Sequence, residues 1–221
     1  MEELLKFSTL QSYLKLLALF TALLGSILFY KYAHGKAKYF IFYLWILFLF
    51  EISYKVIYYE FFPDIRASII IGNIFDIVSP TFILFWYRNL VTSTQSKKII
   101  LALWVFFIVA VVLNSIFLQD ILNDTQFYTT SLGVIFIFFS AIMYFREVLE
   151  GDFILKLNRS VYFWFSLGIL IFCIPVLPLW IMIQEFQFEG EVYGVTMFIA
   201  NVLMHLSFII GILWSKKQYN S

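Results

Sequence analysis

The sequence predicts an all-α protein, a seven-transmembrane-helix bundle with its N-terminus outside and its C-terminus in the cytoplasm. Three observations lead there. Of the 221 residues, 62% are hydrophobic and only 13% charged, where a soluble domain carries about 25% charged residues. Apolar runs of about 20 residues, enough to cross a hydrocarbon core of roughly 30 Å as helix, alternate with short polar breaks. Basic residues gather beside every second break. The seven runs cover approximately 10–30, 39–59, 68–87, 99–117, 127–145, 161–183 and 192–214. The breaks suit hairpins between antiparallel neighbours, so residues 1–221 read as one membrane domain. With 28 Phe, 14 Tyr and 6 Trp against 9 Gly, the expected packing is between large side chains rather than across glycines.

Each run has its own signature. The first follows MEELLKFSTLQSYLK and ends at Tyr30-Lys31-Tyr32 without a small-residue cleavage pattern, so it reads as a retained helix and not a secretory signal. The second carries Glu51 and Lys55, four apart and therefore on one helical face, which Tyr54 and Tyr58 extend. The third places Asn73, Asp76 and Pro80 at spacings of three and four. The fourth holds Asn114 and Ser115 near its outer end, and the fifth is apolar up to Arg146. The sixth contains Cys173, Pro175 and Pro178, which predict a kink. The seventh adds Asn201 and His205, one turn apart near mid-depth.

Direction follows from the basic residues. Lys31, Lys36, Lys38, Arg88, Lys97, Lys98, Arg146, Lys156, Arg159, Lys216 and Lys217 follow runs one, three, five and seven, whereas the opposite segments hold only Lys6 and Arg66 among many carboxylates. The positive-inside rule then puts the N-terminus outside, as an odd number of spans requires for a cytoplasmic C-terminus. At about 1.5 Å of rise per residue, Glu51 and Asp76 share a depth of roughly 12 Å below the outer boundary, with Asn73 roughly 8 Å and Lys55 roughly 6 Å down.

An ionised side chain in hydrocarbon costs from about 3 to more than about 10 kcal/mol, so these groups face the protein interior or a wet cavity. Glu51, Lys55, Asn73, Asp76, Asn114, Asn201 and His205 are therefore the candidate pocket, open to the outside and either binding a small ligand or exchanging a proton. A buried structural network that fixes helix register is the competing reading, and an ion or proton path is the third.

Composition and motifs narrow the function. A net charge of +1 gives no electrostatic case for nucleic acid, the single cysteine allows no internal disulfide, and the His and Cys spacing matches no zinc site. No cofactor is called for. A retinal protein would need a lysine within the seventh run, and VYGVTMFIANVLMHLSFIIGILW has none before Lys216. Sugar carriers of the SWEET type share the span count but are built from proline-marked repeats, and no repeat occurs here. A carboxylate pair such as Glu51 with Asp76 could do acid/base work, as in membrane lysoplasmalogenases, but no nucleophile or metal cluster converges on it. Asn123-Asp124-Thr125 fits a glycosylation acceptor on the outer side.

The segment SVYFWFSLGILIFCIPVLPLWI, Ser160 to Ile181, together with Glu51 in run two and Asn73 and Asp76 in run three, resembles small uncharacterised seven-helix bacterial membrane proteins. That group is in turn similar to the seven-helix sensor regions of histidine kinases. The resemblance implies a receptor-like or sensor-like protein of the bacterial inner membrane. Its partners would be membrane lipids, a signalling protein or membrane complex, and a small ligand. The alternatives are a proton-coupled transporter and a structural subunit of a membrane complex. No segment between runs is long enough for a soluble domain, so output would pass through a partner. The longest, REVLEGDFILKLNRS, mixes charge with apolar residues, and Arg146, Phe153, Leu157 and Arg159 are its candidate docking residues.

Overall fold

The computed structural model describes residues 2–32, 35–56, 65–151, 154–186 and 191–219, with side chains from residue 12 onward except at 54–56, 65, 154–156, 180, 181, 183–186 and 191. Among these residues it is all helical. The order is α1 (Glu2–Ile27), α2 (Ala37–Val56), α3 (Ile65–Leu90), α4 (Thr94–Phe117), α5 (Phe127–Glu150), α6 (Val161–Phe186) and α7 (Glu191–Trp214), with short 3-10 turns at Phe29–Lys31, Ile154–Arg159 and Lys217–Tyr219. Each apolar run has its helix. Several helices outrun the apolar stretch, because backbone hydrogen bonding continues until a turn stops it rather than where hydropathy falls. In α6 the helix continues through Pro175 and Pro178.

Among the described residues, five segments, Arg66–Leu90, Thr94–Phe117, Phe127–Glu150, Val161–Leu179 and Val192–Trp214, are long and apolar enough to cross a membrane. The chain is a multi-pass integral membrane protein.

The helices bury small and polar side chains together with some large apolar ones, and turn other large apolar ones outward. Along α5, Thr129, Thr130, Gly133, Ser140 and Ala141 are buried, while Tyr128, Phe139, Ile142 and Leu149 are exposed. On α4 only Ile100, Phe107, Val111 and Asn114 are buried, a stripe one side chain wide. Val105, Phe106, Val109, Val112, Leu113 and Ile116 of the same helix face outward. A helix that is apolar all round cannot be buried by amphipathicity, and in a bilayer it need not be.

Contacts divide the chain into two compact units, Met1–Phe48 with Val148–Ser221, and Leu49–Glu147. The first contains α1, most of α2, α6 and α7. Phe40 of α2 stacks on Phe165 of α6 at 4.1 Å, and Phe208 of α7 meets both rings edge-on at 5.2 and 5.4 Å. Beside this triad α6 and α7 approach closely. A Cβ on Gly168 would lie 2.7 Å from Phe208 Cε1 and 2.9 Å from the Met204 carbonyl, and one on Gly211 would lie 2.5 Å from Trp164 Cβ. Packing thus runs across glycines as well as large residues, contrary to the expectation from composition. The glycines are few, but they stand where helices cross, and there a missing side chain sets the approach distance.

The end of α7 is closed by the turn after α1. Tyr32, fully buried, donates its hydroxyl to the Ile212 carbonyl at 2.7 Å and lies 2.9 Å from Ser215 Oγ. Lys31 Nζ reaches the Ile212 and Leu213 carbonyls at 3.5 and 3.4 Å. The last carbonyls of a helix have no partner within it, and a cation beside them also suits the negative end of the helix dipole.

In the second unit, Phe50 near the end of α2 meets Phe75 of α3 at 5.0 Å. A Cβ on Gly133 of α5 would come 2.9 Å from Pro80 Cγ and 3.0 Å from Phe107 Cε2, so α3, α4 and α5 meet at that glycine. The α3–α4 turn is held by Glu147 of α5, whose Oε2 accepts from the Thr92 N–H at 2.6 Å, the Thr92 hydroxyl at 2.9 Å and the Ser93 N–H at 3.3 Å.

Two substitutions separate these close approaches from ordinary glycine sites. Gly211→Ala should destabilise the protein by about 1–3 kcal/mol through overpacking against Trp164. Gly72→Ala, where nothing lies within 4 Å of the added carbon, should be neutral or stabilising by up to about 1 kcal/mol. Unfolding in mixed micelles measures both.

Candidate functional site

The polar residues of α3, α4 and α5 come together on the α4–α5 connection, residues 118–126. Asn73, almost wholly buried, donates its amide to the carbonyls of Ile121 and Asp124, both at 2.8 Å, and its Oδ1 accepts from the Gln126 N–H at 3.0 Å. Asn114 donates to Gln126 Oε1 at 2.7 Å and Gln119 Oε1 at 3.0 Å. Ser115 donates to the same Gln126 oxygen at 3.3 Å, and Gln126 Nε2 donates to the Gln119 carbonyl at 2.8 Å. Gln126, with no exposed surface, is the hub. Asn114 Oδ1 is buried and has no hydrogen-bond partner among the described residues.

The connection itself is a carboxylate-capped turn. Asp120 Oδ1 accepts from the Leu122 N–H at 2.9 Å, its Oδ2 accepts from the Asn123 amide, and Asp124 Oδ2 accepts from the Asp120 N–H at 2.9 Å. The Leu122 N–H and the Asn123 amide hold the Asp120 carboxyl below its ordinary value. The side chain of the Asn123-Asp124-Thr125 triplet is thus engaged in its own turn.

Asp76 joins this cluster through α5. Thr130 Oγ1 lies 2.7 Å from Asp76 Oδ2 and 2.8 Å from the Gln126 carbonyl. Both distances are those of good hydrogen bonds, and a hydroxyl has one proton to donate. Glu51, half-buried, lies next to Phe50 at the α2–α3 contact of the same unit. The Lys55 side chain lies outside the described residues.

Asn201 and His205 belong to the first unit. The Asn201 amide donates to the Met197 carbonyl at 2.9 Å. His205, buried on α7, places Nδ1 3.2 Å from Thr21 Oγ1 on α1, and its ring meets Phe208 edge-on at 5.8 Å. Thr21 donates to the Leu17 carbonyl at 2.7 Å, so its single proton is engaged. With the Thr21 proton on that carbonyl, the contact is one that a ring Nδ1–H can make.

Of the docking candidates, Arg146 is exposed in the last turns of α5 and Leu157 is half-buried. Arg159 sits over the Trp214 ring at 5.2 Å, and its carbonyl accepts from the Lys216 N–H at 3.0 Å. Phe153 lies outside the described residues. The 157–159 end of this segment is thus folded onto the chain's own C-terminal end, with the Asn158 carbonyl also accepting from Trp164 Nε1 at 2.9 Å.

The structure therefore joins Asn73, Asp76 and Asn114 in one cluster, while Asn201 and His205 lie in the other unit. Sequence reasoning missed Gln126, Gln119, Thr130, Thr21 and Glu147. Glutamine and threonine at a loop edge look like ordinary solvated residues, and only the buried Thr129-Thr130 pair opening an apolar helix gave a signal. Compared with protein families, curated proteins and solved structures, the chain finds no match.

Gln126→Leu should cost about 1–3 kcal/mol, because it removes the main acceptor of the Asn114 amide and leaves buried polar atoms unpaired. The loss should appear as faster hydrogen exchange across residues 118–126. Burial pushes the Tyr32 hydroxyl up to about 12. A phenol whose value is raised in the folded state contributes stability that is complete below its unfolded value near 10 and is lost as pH rises through about 12. Tyr32→Phe should flatten that part of the alkaline stability profile, measured as unfolding free energy against pH.

Proposed function

We propose that the protein is a sensor-like membrane protein of seven spans, N-terminus outside, whose outer polar cluster exchanges a proton at Asp76 and passes the change to a partner. The observation that carries this is the position of Thr130 between two acceptors. When its proton goes to the Gln126 carbonyl, the 2.7 Å contact with Asp76 needs a proton on the carboxyl. When Asp76 is ionised, Thr130 serves one acceptor at the expense of the other. Gln126 is the residue that holds the α4–α5 connection to Asn73 and Asn114. Proton exchange at Asp76 is thereby coupled to the order of residues 118–126 and to the start of α5.

Asp120 and Asp124 of the connection are engaged in the turn, and Glu51 of α2 belongs to the same unit. The buried Asn114 Oδ1 offers an acceptor to the donor group of a small ligand. The basic segments at alternate breaks support the orientation, and the short segments between helices support output through a protein partner in a bacterial inner membrane. A proton-coupled carrier would use the same carboxyl, and a flux measurement separates the two.

The test is hydrogen exchange of residues 118–126 against pH in the reconstituted protein, beside Asp76→Asn, whose amide keeps a donor toward Thr130 at every pH. Protection should fall as pH rises in the natural protein and stay high and flat in Asp76→Asn. An infrared carboxyl C=O band should be present in the natural protein and absent from the variant. A flat profile in the natural protein, with no such band, overturns the reading. Proton flux into liposomes that Asp76→Asn abolishes would replace the sensor with a carrier.

A further inference from the structure

Gly72 of α3 differs from the glycines at the helix contacts. A Cβ added to Gly25, Gly133, Gly168 or Gly211 would lie 2.9, 2.9, 2.7 or 2.5 Å from a neighbouring side chain, whereas one on Gly72 would meet nothing within 4 Å. At about 3.6 residues per turn, Gly72 and Asp76 share one face of α3, between Ser68 and Ser79 on one side and Asn73 and Pro80 on the other. Those four flanking residues are buried, yet Gly72 and Asp76 are only half-buried. The two flanks are packed against different elements. Phe75, beyond Ser68 and Ser79, meets Phe50 of α2 at 5.0 Å, while Pro80 lies against Gly133 of α5 and Asn73 holds the α4–α5 connection. The open strip is therefore a cleft between the α2 and α5 contacts of α3.

We infer that this cleft binds a small primary ammonium compound, with its N–H groups on Asp76 Oδ1 and its chain over Gly72 toward Ser68. The inference deepens the sensor reading and rests on it in taking Asp76 as the ionisable centre of the cluster.

The chemistry of the two ends selects the ligand. A helical side chain leans toward the N-terminus of its helix, so the Asp76 carboxyl stands over the turn where Gly72 has no side chain. Its Oδ2 is 2.7 Å from Thr130 Oγ1, and among the described residues nothing hydrogen-bonds its Oδ1. Ser68, one turn outward of Gly72 and 5% exposed, carries a buried Oγ with no hydrogen-bond partner among the described residues. From Ser68 to Asp76 the helix rises about 12 Å, which is the reach of a short aliphatic chain with a polar group at each end. An alkylammonium brings three donors and a positive charge to a carboxylate, and such charge-assisted bonds are the strong ones. A quaternary ammonium has no N–H for Oδ1, and a neutral alcohol has no charge. A calcium-like ion needs about six oxygen ligands, and among the described residues no three His, Cys, Asp or Glu side chains are grouped to supply them.

Equilibrium dialysis of radiolabelled n-butylamine against the protein in nanodiscs, with empty nanodiscs subtracted, tests this at about pH 8, where the amine is protonated. One butylamine per chain should be retained, and neither n-butanol nor tetramethylammonium. Asp76→Asn should weaken retention about 10- to 100-fold, the share of a hydrogen bond to a charged group. Gly72→Leu fills the cleft and leaves both polar ends in the chain, and it should abolish retention. Circular dichroism checks that this variant remains helical; if it does not, Gly72→Ala replaces it and should weaken retention. Absence of saturable retention, equal retention of n-butanol, or retention that survives either substitution overturns the inference. Hydrogen exchange of residues 118–126 separates it from the sensor reading. No retention beside a pH-dependent exchange profile sinks the ammonium site alone, and retention beside a flat profile with no carboxyl band sinks the proton sensor alone.

Discussion

Every polar group that this chain carries into the bilayer must find its partner inside the protein, since hydrocarbon offers none and an unpaired group costs several kcal/mol. The rest of the second unit depends on that constraint. The α4–α5 connection is a non-helical segment whose Ile121 and Asp124 carbonyls both accept from the Asn73 amide. Once Asn73 is fixed there, its remaining oxygen takes the Gln126 N–H, and Gln126 in turn faces Asn114. These bonds tie the connection to α3 through Asn73 and to α4 through Asn114.

Helix ends obey the same constraint with charged groups. Glu147 reaches from α5 to the N–H groups that open α4, and Lys31 with Tyr32 reaches from the turn after α1 to the carbonyls that close α7. The signs are the favourable ones, anion at the N-terminus and cation at the C-terminus. In each case the capping residue is remote in sequence from the helix it caps. The first contact orders α5 against the α3–α4 turn, and the second orders α1 against α7.

The helices were legible in the sequence because each depends only on a local sum of hydropathy, and the seven runs reappear as α1 to α7. Asn73, Asp76 and Asn114 were legible as polar exceptions within such runs. Their partners were not. Gln126, Gln119 and Thr130 stand at the edge of a polar break, where such residues carry no signal until the fold brings three helices around them. The close approach of α6 and α7 was misjudged for a related reason: a count of glycines does not say whether they fall on a crossing point, as Gly168 and Gly211 do. Arg159 read as a candidate docking residue of the longest segment, and it lies over the ring of Trp214.

Two threonines contact ionisable groups, Thr21 at His205 and Thr130 at Asp76. Thr21 and Thr130 each place a hydroxyl by a carbonyl four residues back, at 2.7 and 2.8 Å, and each has one proton for its two contacts. A neutral histidine supplies the missing proton from its own Nδ1–H, so the His205 contact exists without any change of charge. A carboxylate has no proton to supply. The Asp76 contact therefore exists together with the Thr130 bond to Gln126 in only one of the two charge states of the carboxyl. In the proposed reading an ionised Asp76 leaves Thr130 with one proton for two acceptors, whereas the His205 contact is satisfied by the neutral ring.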